Sequence, residues 1–359
     1  MKRERHRHNK EKKNEKDRFS DLPDGVLHHI FSFTDAKQAV QSCVLSTRWK
    51  NLWKTLPTLE LNSSKFTTLK AFNKFVSHIL SQRDPSTSLY TFDLYREGKI
   101  EPLLLKRILK YVFSHNTQRL KIDVGCRDLE FPLSFFSCHT FTSLNLSVKY
   151  YCKTTLFPNS LNLSALTNLS LKGFNFCVND GGCVDPFSTL NRLKSLYIYN
   201  CTVSGNQSLC ISSATLANLT IQDNLWRLSF KFFQLSTPSL CTFDFWGTPS
   251  QKLCGSLSNL SSVKHVKISA WCESNCDKTP LVLLNWLIEL PNTESLTVSK
   301  DTLKVLSYVP DLINVEFPSL YSLKSLKVMK YSSSSSIPME IVNFLIQNAP
   351  SAKFDTLPC

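Results

Sequence analysis

From residue 56 to residue 328 the apolar residues return in one short pattern, L-x-x-L-x-L, separated by more polar, turn-rich stretches. Clear copies are LPTLEL (56–61), LTNLSL (166–171), LKSLYI (193–198), LANLTI (216–221), LCTFDF (240–245), VKHVKI (263–268) and LKSLKV (323–328). Looser copies are LYTFDL (89–94), TQRLKI (117–122), FTSLNL (141–146) and NTESLTV (292–298). Inside each copy the apolar positions alternate with polar ones, the period of a strand with one buried face. The central apolar residues Leu120, Leu144, Leu169, Leu196, Leu219, Phe243, Val266, Leu296 and Leu326 are separated by 24, 25, 27, 23, 24, 23, 30 and 30 residues. Such a period predicts one strand and one return segment per unit, each unit burying its leucines against the next. Upstream, the steps of 33 (Leu59 to Phe92) and 28 (Phe92 to Leu120) leave room for an inserted helix such as LKAFNKFVSHIL.

These spacings centre on the range of leucine-rich repeats, roughly 20–29 residues. The expected fold over 57–331 is therefore an irregular α/β solenoid with a parallel sheet on its concave face. Two units carry the Asn or Cys that follows the pattern, Cys201 and Asn224, where a side chain can bond backbone groups as strand pairing stops. Others hold Phe174, Thr248, Trp271 or Asp301 there, hence the irregularity. The residues between the leucines face the concave side. Among them Tyr197, Tyr199, Asp244, Trp246, His265 and Lys267 form the candidate target-binding set, because exposed aromatics often anchor interfaces. The plainer reading of any one aromatic is a strand former leaning on its neighbours.

Residues 19–56 carry a different pattern. Val26, Leu27, Ile30, Phe31 and Phe33 follow at helical spacing after Pro23, with Asp21 as the expected cap. Asp35 opens a second short helix carrying Ala39, Val40 and Cys43. Ser46 is the expected cap of a third, in which Trp49, Leu52, Trp53 and Leu56 fall on one side and Pro57 ends it. Three helices this short cannot hide so much apolar surface from water. Either the rest of the chain covers it or a partner groove does.

The run LPDGVLHHIFSF–TDAKQAVQSCVLSTRWKNLW closely resembles the F-box of plant F-box/leucine-rich-repeat proteins. Leu22-Pro23, Val26-Leu27, Ile30 and Val44-Leu45-Ser46-x-Arg48-Trp49-x-x-Leu52-Trp53 stand where that family keeps its signature. The resemblance implies docking on a Skp-type adaptor and, through it, on a cullin-RING ubiquitin ligase (an SCF complex). Carried over by position, Leu22, Pro23, Ile30, Val44, Leu45 and Trp49 are the implied adaptor contacts, while Leu52 and Trp53 are assigned to packing against the next domain. The implied function is that of a substrate receptor whose concave face holds an unidentified target protein. The rival is a binding scaffold with a degenerate F-box and no ligase role.

Composition narrows the classes further. Hydrophobic residues are 42% and charged residues 19% of 359, enough for a sizeable core. The net charge of +14 includes +5 from residues 1–18, nine Lys/Arg against four Asp/Glu, which read as a disordered basic tail or a nuclear localisation signal. The remaining excess is diffuse, and the concave positions hold few lysines, so nucleic acid is not the expected partner. No apolar run reaches the ~18–20 residues of a membrane span; LVLLNWLIEL (281–290) reads as a packed helix. The polar N-terminus and the odd number of cysteines, 13, point to reduced thiols in the cytoplasm or nucleus. Eight Asn-x-Ser/Thr sequons fall mostly inside the leucine pattern and read as its by-products.

Glycine is scarce, 9 residues, and no phosphate loop, HExxH, nucleophile elbow or dinucleotide fingerprint occurs. The chain is therefore read as non-enzymatic and without a cofactor. Cys272-x-x-x-Cys276 with His265 near lacks the second close pair that structural zinc needs. After a serine run, Ile337, Ile341, Phe344, Leu345 and Ala349 lie on an amphipathic helix, so 332–359 is read as linker and capping helix, loosely similar to an FBD segment.

Overall fold

The computed structural model describes residues 22–125, 131–149, 155–177, 183–203, 208–223, 233–249, 253, 260–272, 278–312, 318–330 and 336–358. The basic tail, Asp21, Asn224, Cys276 and serines 332–335 lie outside them. Local chemistry sets the first three helices. Helix α1 (Asp24–Phe31) starts behind Pro23, which has no N–H to leave unpaired. Helix α2 (Ala36–Gln41) is closed by a reciprocal capping box: Asp35 Oδ1 accepts from the Gln38 amide at 2.8 Å and Gln38 Oε1 from the Asp35 amide at 3.1 Å. Helix α3 (Trp49–Leu52) continues into a tighter turn, Trp53–Thr55. Ser46 does not cap α3. Its hydroxyl accepts from the Arg48 amide at 3.3 Å in the turn before the helix, which begins two residues later than the sequence suggests.

The helices bury Leu27, Phe31, Ala36, Ala39, Leu52, Trp53 and Leu56 in one core with the residues that follow. Helix α4 (Leu69–Gln82), the expected insertion, is capped by Thr68 and buries Phe72, Val76, Ile79 and Leu80. Just after it, the buried Arg83 guanidinium donates to the carbonyls of Trp53 (3.0 Å) and Leu56 and to Tyr111 Oη (2.8 Å). Tyr111 belongs to α5 (Pro102–Ser114). One side chain thus ties the helical module to the first return segments.

Twelve parallel strands then form one sheet. They are β1 (Thr58–Asn62), β2 (Thr91–Arg96), β3 (Arg119–Val124), β4 (Ser143–Val148), β5 (Asn168–Lys172) and β6 (Ser195–Tyr199), followed by β7 (Asn218–Gln222), β8 (Thr242–Gly247), β9 (His265–Ala270), β10 (Ser295–Ser299), β11 (Ser325–Lys330) and β12 (Lys353–Pro358). The central apolar residues read from the sequence stand directly opposite one another, from Leu59 against Phe92 through to Leu296 against Leu326. That ladder and the one formed by the next apolar residue are buried from β1 to β11, and the residues between them face the open side. The sheet also runs past residue 331. After α8 (Met339–Gln347), β12 pairs with β11 and sets Phe354 opposite Leu326, so the C-terminal segment adds a strand as well as a helix.

Return segments follow the spacing. Long steps at either end hold helices, including α6 (Thr279–Ile288) and α7 (Lys300–Leu306). Shorter central steps hold extended pieces that form two small parallel sheets, one from 155–157, 174–176 and 202–203 and one from 183–184, 208–212 and 233–236. Between sheet and returns lie packed rings, Phe136, Phe157, Phe174 and Phe176 in the centre and Phe233, Phe243 and Phe245 around Trp286 further on. Cys201 behaves as expected for the post-strand position: its thiol lies 3.6 Å from the Leu171 carbonyl and 3.5 Å from that of Tyr199. Complete burial pushes that thiol up to about 12. The expectation of uniformly reduced cysteines is corrected. Cys183 and Cys210 are joined, their Cα atoms 5.9 Å apart on two paired strands of the second small sheet.

Candidate functional site

Two surfaces present side chains that the fold does not consume. On the helical module, α1 turns Leu27 and Phe31 inward and Val26 and Ile30, one turn apart, outward. Val44 and Leu45 follow α2 in a turn whose inner side is already filled by Ala36 and Ala39. The result is a group of exposed apolar residues: Val44 88%, Phe33 78%, Leu45 66%, Val26 44% and Ile30 36%. Asp24 and Arg48, 2.5 Å apart, tie the start of α1 to the turn before α3.

The six residues picked out for adaptor binding divide. Pro23, Ile30, Val44 and Leu45 are exposed, and Leu22 is half-buried against the core. Trp49 is also half-buried, edge-on to Phe31 with ring centres 5.4 Å apart, and its buried indole N–H has no hydrogen-bond partner among the described residues. Trp49 therefore braces the module from inside as well as presenting an edge. Val26 and Phe33 were not singled out for this surface. Their helical spacing was visible, but which side the core would take was not. Leu52 and Trp53 are buried in the core, and Arg83 donates to the Trp53 carbonyl.

On the open face of the sheet, Tyr197 and Tyr199 lie parallel, 6.3 Å apart, and Tyr197 Oη donates to Gln222 Oε1 at 2.8 Å. Burial, and secondarily Tyr199 and Asp244, raise the Tyr197 phenol above its ordinary range. Lys172 Nζ sits 4.6 Å over the Tyr199 ring. Two strands on, Lys267 Nζ lies 5.5 Å over the Trp246 ring and 3.8 Å from Asp244 Oδ2. Burial pushes the Asp244 carboxyl up, opposed by Lys267 and by a hydrogen bond with Trp246. Asp244, Trp246 and Lys267 are thus one cluster and the tyrosines another, while His265 lies exposed at the start of β9. A third pair went unread, because β2 is a loose copy of the pattern. Lys149 Nζ donates to Tyr95 Oη at 3.0 Å and lies 4.5 Å from its ring, and that hydrogen bond raises the lysine pKa. Across β4 to β7, Asn145, Ser170, Ser195, Tyr197, Asn218 and Thr220 line a shallow depression of about 200 Å³.

A helical module with an outward apolar face, fixed to a parallel solenoid with an open polar-aromatic face, defines a two-surface interaction protein. The F-box domain model matches residues 19–61. The chain is similar to an F-box/LRR-repeat protein of Arabidopsis thaliana, 27% identical over 98% of this chain and 74% of the relative. A second Arabidopsis F-box/LRR-repeat protein is 29% identical over 94% of this chain and 78% of its own length. An FBD-associated F-box protein from the same plant is 30% identical over 58% of this chain and 45% of the relative. Residues 19–61 thus form an F-box domain, and the chain as a whole is similar to plant F-box/LRR-repeat proteins.

Proposed function

We propose that this protein is the substrate receptor of an SCF-type ubiquitin ligase. The observation that carries the reading is the division of labour within the F-box. Leu52 and Trp53 are buried in the core, while Val44, Leu45, Ile30, Val26 and Phe33 are left facing water. A Skp-type adaptor would cover that surface, with Leu22, Pro23 and Trp49 contributing at its margin, and would bring the chain to a cullin-RING ligase. The mechanism is proximity: the solenoid's open face holds a target protein near the ubiquitin-loaded enzyme, raising its effective concentration. No residue of this chain does bond chemistry in this account. Its place of work would be the nucleus or cytoplasm, where such ligases meet their targets.

The test is direct binding of purified Skp-type adaptor, by titration calorimetry, to the wild-type chain and to Val44→Asp/Leu45→Asp. Both positions are exposed, so the variant keeps its fold, which circular dichroism checks. Binding lost only in the variant supports the receptor. A folded wild-type chain that does not bind leaves the scaffold with a degenerate F-box.

A further inference from the structure

Charge is unevenly shared on the open face. From β4 to β11, the positions that alternate with the buried ladder hold one carboxylate, Asp244, against Lys172, Lys267 and Lys327. That carboxylate is already engaged by Lys267 and Trp246. Lys172 and Lys267 are both held on aromatic rings. A ring orients an ammonium without neutralising it, so the side-chain ordering cost, up to ~2 kcal/mol per lysine, is largely met beforehand. Lys267 also faces Asp244 at 3.8 Å, and a ligand carboxylate there would share it with that half-buried group. On β5 to β7 lie neutral hydrogen-bonding side chains, Ser170, Ser195, Asn218 and Thr220, around the shallow depression, with Gln222 further along β7.

We propose that the face from β5 to β9 binds an extended acidic peptide, two of whose carboxylates land on Lys172 and Lys267. This deepens the target-binding half of the receptor reading and rests on it. The lysines are four strands apart, about 19 Å at ~4.8 Å per strand, which an extended chain covers in about five to six residues. The peptide crosses the strands, its main chain meeting the amides and hydroxyls of the depression. A single-stranded nucleic acid fits less well, because it needs open ring faces for its bases. Tyr199 has Tyr197 beside it and Lys172 on its ring, and Lys267 sits on Trp246.

The experiment is phage-display selection of random twelve-residue peptides on the full chain, followed by fluorescence anisotropy with the enriched peptides. The expected result is enrichment of paired acidic residues five or six positions apart, with affinity falling as salt rises. Lys172→Met/Lys267→Met keeps the side-chain stems and should weaken binding at least tenfold, while Lys172→Glu/Lys267→Glu should select basic peptides and so report an intact fold. Enriched peptides no more acidic than the library, unchanged binding by the methionine variant, or no enrichment at all overturns the proposal. Adaptor titration on the same preparation separates the two readings. Adaptor binding without acidic-peptide binding sinks only this inference, and the reverse result sinks the receptor while leaving the peptide site.

Discussion

Gly173 directly follows β5 with φ at +77°, and a Cβ there would lie 2.2 Å from the Val148 carbonyl oxygen. The turn after the strand needs both the left-handed backbone and the missing side chain. Gly173→Ala should therefore cost about 2 kcal/mol or more, measured as a lower urea midpoint. Asp244 makes the opposite case. Its folded-state carboxyl is pushed above the unfolded value, burial outweighing Lys267 and Trp246. The folded state then takes up the proton more readily than the unfolded chain, so this group's contribution improves as pH falls through its raised pKa and is least favourable at neutral pH. Asp244→Asn should leave the protein at least as stable as wild type at pH 7, and any advantage should shrink in acid. Thermal melts at both pH values check this, and a large loss at pH 7 would show that the carboxylate's pairing outweighs its burial.

At the scale of elements, the disulfide and the Arg83 clasp are the two ties that periodicity could not announce. The Cys183–Cys210 link spans a sequence separation of 27 and so encloses β6, the strand that presents Tyr197 and Tyr199. A loop of that length restricts the unfolded chain by about 3–4 kcal/mol in the chain-entropy account. Cys183→Ser/Cys210→Ser should hasten amide hydrogen exchange in that repeat and its neighbours, leaving α1 to α3 unchanged. Arg83→Met would strip donors from two carbonyls at the junction and from Tyr111, costing roughly 2–4 kcal/mol, read as an earlier F-box transition in a denaturant titration. The strands were legible because every unit repeats its apolar spacing and a parallel sheet converts equal spacing into register. Strand β12 was not, since AKFDTLP carries no leucine pair and only the pairing with β11 makes it a strand. The central returns were missed for a related reason: strands of two to five residues are too short for a period to mark them. On the open face, alternation identified Tyr197, Tyr199 and Trp246, but which lysine sits on which ring depends on geometry across strands.

For the whole molecule, the F-box, besides its proposed docking role, lies against the solenoid's first edge. Strand β1 has a partner only on the β2 side, and α2 contacts it from the module. Near this junction Leu52 and Trp53 are buried, Lys37 lies 4.7 Å over the Phe66 ring, and Arg83 binds the carbonyls of Trp53 and Leu56. An exposed sheet edge beside uncovered apolar residues is a template for association. Removing residues 1–56 should therefore yield a solenoid that self-associates, seen by light scattering, whereas Val44→Asp/Leu45→Asp in the full chain should stay monomeric. A monomeric truncation would mean that the junction contacts are dispensable and that the F-box is a tethered module, free to swing relative to a bound target. In the proposed receptor, a fixed junction would set the distance between adaptor and target through the chain's own core and hold the solenoid's open face in one place relative to the ligase.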